Sequence, residues 1–358
     1  MYRNTKNVPY YVFGRGSLAQ LGDLLKPRRE AVDGPVVYFV DHFFRDHELI
    51  GRLPMEKGDQ LHFVDSSSEP EVTRIDAFKE AVSAADSRTP CCVVGIGGGN
   101  ALDTAKAVAN LLTNPGKAED YQGWELVKNP AVYKIGIPTL SGTGSECSRT
   151  CVLTNIPKNL KLGMNSDYTV YDQLLLDPDL LVTVPRDQYF YTGIDTFMHC
   201  VESLQGSYRN AIIDAFSVRA VQLCEEIFLS DDMMSEENRE KMMIASYIGG
   251  MAAGNVGVIH PFSAGLGVVL HVAHGLGNCL ALNVLGDIYP KEYKQFRTMI
   301  ERQGVNLPTG ICKDLTEEQY EGLYRGCIVH EKPLTNALGP DFKQILTREN
   351  LIERYKSI

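Results

Sequence analysis

The chain has 358 residues, which is long enough for two domains with separate hydrophobic cores. Its hydrophobic fraction of 44% and charged fraction of 22% are ordinary for a soluble globular protein, and its net charge of −10 argues against a general nucleic-acid binder, which needs a basic surface for phosphates. A local basic pocket for a small acidic substrate remains compatible with this charge.

The beginning of the sequence lacks the apolar segment and the cleavage pattern of a signal peptide, and no apolar run approaches the roughly 20 residues that a membrane helix needs. The nine cysteines are an odd number and include the adjacent Cys91 and Cys92 in an apolar run. This usage fits a reducing compartment better than a disulfide scaffold. We therefore expect a cytoplasmic protein that contacts neither membrane nor nucleic acid.

Strands and helices are predicted to alternate in the first half of the chain. Short apolar runs predict strands over 35–41, 61–67, 91–100 and 134–140. Helical spacing and flanking residues predict helices over 69–86 and 101–114. This alternation is typical of βαβ units with a mostly parallel sheet, which binds ligands beyond the carboxyl ends of its strands.

Three glycines, Gly97–Gly99, stand between the strand predicted over 91–100 and the following helix. Glycine lets backbone N–H groups approach an anion, and a helix N-terminus adds positive partial charge, so we predict a phosphate site. A tight turn without a ligand is the alternative. A P-loop is disfavoured because no GK[ST] is present, and the ordinary dinucleotide fingerprint is incomplete because Asn100 occupies its third glycine position.

Two further features favour a nucleotide at the same edge of the sheet. Asp41 ends the strand predicted over 35–41, where an acid can accept hydrogen bonds from a ribose diol and repel a 2′-phosphate, which favours NAD over NADP. The segment PTLSGTGSE at 138–146 suits a second wall of a nucleotide cleft. A simple turn residue and an ordinary polar loop are the respective alternatives.

The second half of the sequence reads as helical. Helical spacing covers 209–230, and Thr316 with Gln319 forms a capping box that opens a helix over 316–328. No strong strand signal follows residue 185. We predict a boundary near 178–185, with an α/β domain at 1–180 and a helical domain at 181–358.

Asp195 and His199 are four residues apart, so on a helix their side chains share one face at chelating distance. An ordinary hydrogen bond between residues i and i+4 is an equally good reading of this pair.

The segment HPFSAGLGVVLHVAHG, residues 260–275, holds three of the eight histidines of the chain. A continuous helix would separate His260 from His274 by about 21 Å, so the two can share an ion only if the chain folds back between them. Gly265 and Gly267 are the expected positions of that break.

Taken together, these segments resemble the iron-containing (group III) alcohol dehydrogenase family over essentially the whole chain. The matching motifs are GGGNALDTAK at 97–106, PTLSGTGSE at 138–146, and Asp195-x3-His199 followed by His260 and His274, which are fourteen residues apart. The resemblance implies a dinucleotide-binding α/β domain, an all-helical metal domain, NAD, one divalent metal ion (Fe²⁺ or Zn²⁺) and a homodimer.

The resemblance also implies roles for individual residues. The implied metal ligands are Asp195, His199, His260 and His274. The implied cofactor-binding residues are Asp41, Gly97, Gly98, Gly99, Asn100, Asp103, Thr139, Leu140, Ser141, Thr143, Ser145 and Lys161. Lys161 matches a family lysine near the nicotinamide ribose, with a solvated hairpin lysine as the alternative. Ala264 stands where many members carry a histidine that assists proton transfer, so His271 is a candidate replacement, with packing as an equal alternative.

The chemistry implied is hydride transfer from an alcohol carbon to NAD, with the metal ion acting as a Lewis acid. The overall likeness of the sequence favours the sugar acid 3-deoxy-D-manno-octulosonate (Kdo) as the substrate. Its C8 hydroxyl would be oxidised on the route to the 8-amino sugar of lipopolysaccharide. Arg149, Lys161 and Arg209 are candidate partners for its carboxylate. Another small primary alcohol and a dehydroquinate synthase-like lyase reaction are the alternatives, and Asp195 counts against the lyase, whose first ligand is usually Glu.

Overall fold

The structure, a computed structural model, describes residues 6–158 and 160–358. The chain divides into two compact units. The first unit contains the described residues up to Leu140 together with Ser145–Val182, and the second contains Ser141–Gly144 together with Thr183–Ile358. The short segment Ser141–Gly144, which lies within the predicted first domain, thus packs with the second unit.

A six-stranded parallel sheet forms the centre of the first unit. Its strands, in spatial order, are β1 (Tyr10–Phe13), β9 (Gln173–Leu176), β6 (Lys134–Pro138), β4 (Cys92–Gly97), β2 (Val36–Asp41) and β3 (Gln60–Val64). Every neighbouring pair is parallel. The register pairs Val40 with Ile96 and Gly97 with Pro138, so β2, β4 and β6 end side by side at one edge.

Both faces of this sheet are covered. The helices of the first unit are α1 (Leu21–Ala31), α2 (Val72–Ala85) and α3 (Gly99–Leu111). Val37 and Phe39 of β2 lie in one apolar cluster with α2 and α3, whereas Val36 and Tyr38 lie in a second cluster with α1. Because both sets of alternating side chains are buried, the strands read as continuous apolar runs, and this explains why the sequence pattern identified them.

A smaller three-stranded sheet in the first unit escaped the sequence analysis. It contains β5 (Gly123–Trp124), β7 (Thr150–Asn155) and β8 (Leu160–Asn165), and β7 and β8 pair as an antiparallel hairpin whose connection includes residue 159, outside the described residues. Alternate residues of β7 are buried, so only one face of this hairpin carries the apolar signal.

Residues 183–358, all of which the structure describes, form helices and no strand. These helices are α4 (Arg186–Gln205), α5 (Ala211–Phe228), α6 (Glu236–Gly250), α7 (Ile259–Leu270), α8 (His274–Val284), α9 (Pro290–Gln303), α10 (Glu317–Ile328), α11 (Glu331–Leu338), α12 (Phe342–Ile345) and α13 (Arg348–Lys356). The predicted capping box of Thr316 and Gln319 is present at the start of α10. The predicted fold class, an α/β unit followed by an all-helical unit, is confirmed. Among the described helices, none is both long and apolar enough to cross a membrane.

Candidate functional site

Helix α4 presents three buried polar side chains in one line. Asp195, His199 and Glu202 follow at intervals of four and three residues, so they lie on the same face of the helix. Asp195 is fully buried, and Glu202 and His199 are 1% and 4% exposed. A helix that buries two acids and an imidazole needs partners for all three groups, because unpaired buried charges are costly.

The partners come from α7 and α8, which are separated by a break in the segment 260–275. His260 is the second residue of α7, and Pro261 is tolerated beside it because the first helical N–H groups have no partner within the helix anyway. Helix α7 ends at Leu270, His271 adopts a left-handed backbone conformation with φ 55°, and α8 begins with His274. The predicted reversal is therefore present.

Its predicted position at the glycines is wrong. Gly265 and Gly267 lie inside α7, and the chain turns at residues 271–273 instead. A Cβ atom on Gly265 would lie 2.6 Å from Tyr355 Oη and 2.7 Å from Leu323 O, so this glycine allows α7 to pack closely on α10. The physical role of Gly265 is close helix packing rather than chain reversal.

The four side chains singled out from the sequence meet at one point. Asp195, His199, His260 and His274 each offer a ligand atom, and these atoms lie within 4.8 Å of one another. His260 Nε2 is 3.1 Å from Asp195 Oδ1, His274 Nε2 is 3.6 Å from Asp195 Oδ2, and His199 Nε2 is 3.8 Å from Asp195 Oδ1. The rings of His199 and His260 stack with their centroids 4.4 Å apart.

The electrostatics of the cluster keep the carboxylate ionised. Burial alone would raise the pKa of Asp195, but the adjacent His199, His274 and His260 hold this pKa well below its usual range. Burial lowers the pKa of His199 to about 3, so its imidazole is neutral and keeps a lone pair. Burial also opposes the charged form of His260, but Glu202 and Asp195 outweigh it and raise its pKa to about 9.

Glu202 is a candidate functional residue that the sequence analysis missed. One carboxylate oxygen forms a short hydrogen bond with His260 Nδ1, and the other accepts from the backbone N–H of Ile259 at 2.6 Å and from Tyr289 Oη at 3.4 Å. Glu202 therefore fixes the start of α7 and holds a proton on Nδ1 of His260, so Nε2 is the nitrogen that faces Asp195 and would exchange its own proton for a metal ion. The available signal was its spacing, seven residues after Asp195 on one helix face.

Replacing Glu202 by glutamine should weaken metal binding by about 10- to 100-fold, the range for partners that orient a ligating histidine. The isosteric amide removes the negative charge that holds the proton on His260 Nδ1. Competition with a chelator for Zn²⁺ measures this change. Glu225→Gln, on α5 and outside the cluster, should leave the Zn²⁺ affinity unchanged, and equal affinities for both variants would show that Glu202 does not orient His260.

The donor set fits a divalent transition-metal ion. Asp195 Oδ2 is buried and has no hydrogen-bond partner among the described residues. Such an atom is costly unless a cation or another ligand compensates it. One carboxylate and three imidazoles suit Fe²⁺ or Zn²⁺.

At the edge where β2 and β4 end, the backbone of Gly97 packs closely against neighbouring residues. Gly97 has φ 149°, and a Cβ there would lie 2.7 Å from Ala101 Cβ and 2.9 Å from Asp41 Cβ. Gly98 caps α3, whose first residue is Gly99. The N-terminus of α3 and Asp41 therefore lie next to each other, and a dinucleotide site at this edge stays a prediction.

Two of the predicted cofactor residues, Asp41 and Asn100, also hold loops in place. Asp41 Oδ1 accepts hydrogen bonds from Phe43 N and Ser66 Oγ. Asn100 Nδ2 donates to the carbonyl oxygens of Ser66 at 3.3 Å and Ser68 at 2.8 Å.

Asp103 is buried, and it accepts hydrogen bonds from Ser145 Oγ at 2.5 Å and from Val152 N at 2.9 Å. Burial raises its pKa above the ordinary value, although Lys106 and these two donors oppose the shift.

The loop after β6 contains further predicted cofactor residues. The N–H group of Thr139 donates to Gly97 O at 3.0 Å, and a Cβ on Gly98 would lie 3.2 Å from Leu140 Cδ2. In the second unit, Gly142 accepts from Thr196 Oγ1 at 3.0 Å and donates to Ser246 Oγ at 2.9 Å. These bonds hold the segment containing Ser141 and Thr143 against α4 and α6.

Neither of the two predicted catalytic side chains belongs to the four-residue cluster. Lys161 on β8 forms an ion pair with Glu69 Oε1 at 2.9 Å and is largely buried. His271 is exposed at the end of α7, three residues before His274. A catalytic role for either residue remains a prediction.

Comparison with known proteins identifies the family. The family model described as iron-containing alcohol dehydrogenase matches residues 9–178, and the model of the C-terminal part of the Fe-containing alcohol dehydrogenase family matches residues 189–322. The chain is 30% identical to the NAD-dependent methanol dehydrogenase of Bacillus methanolicus over 278 residues, which cover 75% of this chain and 71% of that protein.

Two sulfoacetaldehyde reductases are also similar to this chain. It is 34% identical to that of Bilophila wadsworthia over 220 residues, which cover 60% of this chain and only 56% of that protein. The crystal structure of sulfoacetaldehyde reductase from Bifidobacterium kashiwanohense in complex with NAD⁺ superposes with a TM-score of 0.81 and 24% identity, covering 99% and 98% of the two chains. The chain therefore belongs to the iron-containing alcohol dehydrogenase family, which confirms the predicted family and enzyme class, with NAD and one divalent metal ion as the family's cofactors.

Proposed function

We propose that this chain is a metal- and NAD-dependent dehydrogenase that interconverts a small primary alcohol and its aldehyde. The observation that carries this proposal is the convergence of Asp195, His199, His260 and His274, whose ligand atoms lie within 4.8 Å of one another. Residues from three helices meet there, and Oδ2 of the buried Asp195 has no hydrogen-bond partner among the described residues. A cluster that served packing alone would satisfy this atom.

Each residue has a distinct task in this proposal. Asp195 and the three histidines would hold the ion, and Glu202 would keep Nε2 of His260 directed at it. When bound, the ion supplies Lewis-acid stabilisation of the substrate oxygen and NAD supplies the hydride acceptor. The N–H groups at the start of α3 would bind the pyrophosphate of NAD, and the carboxylate of Asp41 would accept hydrogen bonds from a ribose diol.

The proton acceptor in this proposal is a residue other than the one that the family resemblance suggests. Ala264 has no titratable group at the position where many members carry a histidine. We retain His271 and Lys161 as the candidate catalytic residues, His271 for its place beside α8 and Lys161 for its match to the family lysine. The ion pair of Lys161 with Glu69 would have to open for direct contact with a cofactor.

Two observations bear on the identity of the substrate. The overall likeness of the sequence to enzymes that act on Kdo supports the C8 hydroxyl of Kdo as the substrate, on the route to the 8-amino sugar of lipopolysaccharide. The similar proteins are named for sulfoacetaldehyde and for methanol. Kdo and sulfoacetaldehyde share one chemical feature, an anionic group on a molecule with a terminal alcohol or aldehyde carbon. We also propose that the protein is a homodimer, which sedimentation of the purified protein would test. A cytoplasmic location is part of the same proposal.

The decisive experiment is NADH formation by metal-stripped protein supplied with NAD and with Fe²⁺ or Zn²⁺ in turn. The alcohols offered are Kdo, 2-hydroxyethanesulfonate, methanol and glycerol. Metal-dependent NADH with Kdo alone would support the full proposal, whereas turnover of another alcohol would retain the dehydrogenase and contradict the Kdo assignment. Bound metal and NAD without NADH from any alcohol would contradict the dehydrogenase and favour the lyase, which regenerates its cofactor.

Replacing Asp41 by alanine should shift cofactor preference toward NADP. The carboxylate ends β2 beside Gly97, where it would repel a 2′-phosphate, so its removal should raise the ratio of kcat/KM for NADP to that for NAD by about 10-fold. Steady-state kinetics with both cofactors measure this ratio. Asp46→Ala removes the same charge at an exposed position five residues on and should keep the wild-type ratio. An equal ratio in both variants would contradict a ribose-binding role for Asp41.

A further inference from the structure

The side chain of Asn278 lies among the candidate metal ligands. Asn278 is fully buried on α8, one turn after His274, so both side chains project from the same helix face. Its Nδ2 atom is 2.6 Å from Asp195 Oδ1 and 3.3 Å from the Nε2 atoms of both His260 and His274. The amide therefore contacts three of the four candidate ligands.

Of these three neighbours, the carboxylate is the one that accepts a hydrogen bond when the imidazoles hold an ion. Nδ1 of His260 faces Glu202, so the lone pair of this ring is on Nε2, where a metal ion would take it. An amide oxygen in the place of Nδ2 would set two oxygen atoms 2.6 Å apart, which is repulsive. The amide N–H group of Asn278 therefore donates to Asp195 Oδ1.

This hydrogen bond makes the two oxygen atoms of Asp195 different. The amide occupies Oδ1, whereas Oδ2 is buried, lies 3.6 Å from His274 Nε2 and has no hydrogen-bond partner within residues 6–158 and 160–358. A buried carboxylate oxygen without such a partner loses its hydration, and a cation is the natural compensation.

We propose that Asn278 is a positioning residue that makes Asp195 a monodentate metal ligand through Oδ2. This inference rests on the proposed function, because it needs a divalent ion at the cluster. One carboxylate oxygen and three imidazole nitrogens make four protein ligands, which leaves a coordination position for a substrate oxygen. If both oxygens of Asp195 bound the ion, the second would compete for that position.

Co²⁺ is the probe for this proposal, because its visible absorption reports the number and kind of its ligands. Affinity for Co²⁺ is measured by competition with a chelator, and access to the remaining coordination position is measured by titrating the Co²⁺ form with azide. We expect Asn278→Ala to weaken Co²⁺ binding by about 10- to 100-fold. We also expect it to change the absorption spectrum and to weaken azide binding by about 10-fold, because Asp195 is then free to bind through both oxygens.

Asn278→Asp is a nearly isosteric second variant for the case in which the alanine variant does not fold. Its carboxylate has no N–H donor, so it should weaken Co²⁺ binding as well. Asn283→Ala, on the same helix but outside the cluster, is the matched control and should keep the wild-type affinity and spectrum.

Unchanged Co²⁺ affinity and azide binding in a folded Asn278→Ala variant would overturn the proposal. Tighter Co²⁺ binding by Asn278→Asp would overturn it too, because residue 278 would then act as a ligand. Wild-type protein that binds Co²⁺ but oxidises no alcohol would contradict the proposed function alone, and the two readouts would still decide the role of Asn278. Wild-type protein that binds no Co²⁺ would overturn both.

Discussion

Replacing His260 by alanine should leave a folded chain that retains little metal and loses at least about 100-fold in kcat/KM, equivalent to about 2.7 kcal/mol of transition-state stabilisation. His260 is the ligand that links the helices, because its Nε2 lies 3.1 Å from Asp195 Oδ1 on α4 and its Nδ1 contacts Glu202. Its removal deletes one of four protein ligands and leaves the Glu202 carboxylate without its imidazole. Metal content of the purified variant and NADH formation measure the two effects.

His271→Ala is the matched control for metal content. His271 lies eleven residues after His260 in the same segment, is exposed, and is outside the cluster, so this variant should retain the wild-type amount of metal. Its activity separately tests the proposed proton-transfer role. Full metal content in His260→Ala would contradict the assignment of the metal site, and equal loss of metal in both variants would point to a general disturbance of the segment.

Replacing Gly97 by alanine should weaken NAD binding and destabilise the fold. The backbone of Gly97 has φ 149°, which non-glycine residues rarely adopt, and the new Cβ would lie 2.7 Å from Ala101 Cβ and 2.9 Å from Asp41 Cβ. Asp41, which ends β2, is a predicted cofactor residue, and Ala101 lies in the first turn of α3, between the predicted cofactor residues Asn100 and Asp103. We expect the dissociation constant for NAD to rise by at least about 10-fold and the free energy of unfolding to fall by about 2–4 kcal/mol.

Gly14→Ala separates backbone strain from crowding. Gly14 has nearly the same φ, 148°, but a Cβ there would meet no atom of the described residues within 4 Å. This variant should lose about 1–3 kcal/mol of stability through strain alone and keep its affinity for NAD. Calorimetric NAD titration and denaturant unfolding of both variants measure these differences. Unchanged NAD affinity in Gly97→Ala would show that the edge formed by Asp41 and Gly97 does not bind the cofactor.

Structural features that depend only on residues close together in the sequence were predictable from it. The buried strands were visible as apolar runs because both faces of their sheet are covered. The capping box of Thr316 and Gln319 was visible because its two hydrogen bonds join residues three apart. Asp195 and His199 were predicted to share a helix face for the same local reason.

Close helix packing could not be predicted from the sequence, because it depends on residues far along the chain. The two glycines of α7 looked like the position of a chain break, but a glycine is equally suited to close packing, and the contact of Gly265 with Leu323 and Tyr355 decides between the two. The reversal instead uses a non-glycine residue, His271, in a left-handed conformation that local rules disfavour. The helix packing thus outweighs the local backbone preference.

By itself, the sequence determined the alternation of helices with four strands of the central sheet, the helical character of the second unit, the family, and the four side chains with the chemistry to bind a metal ion. Tertiary structure alone decided that Asp195 meets His260, 65 residues further on, that Glu202 holds the His260 ring, and that Asn278 contacts one oxygen of Asp195. Hydrogen bonds of this kind join separate helices, so their geometry follows from how the helices pack. Local sequence patterns specify which face of a helix carries a group but not which group it meets.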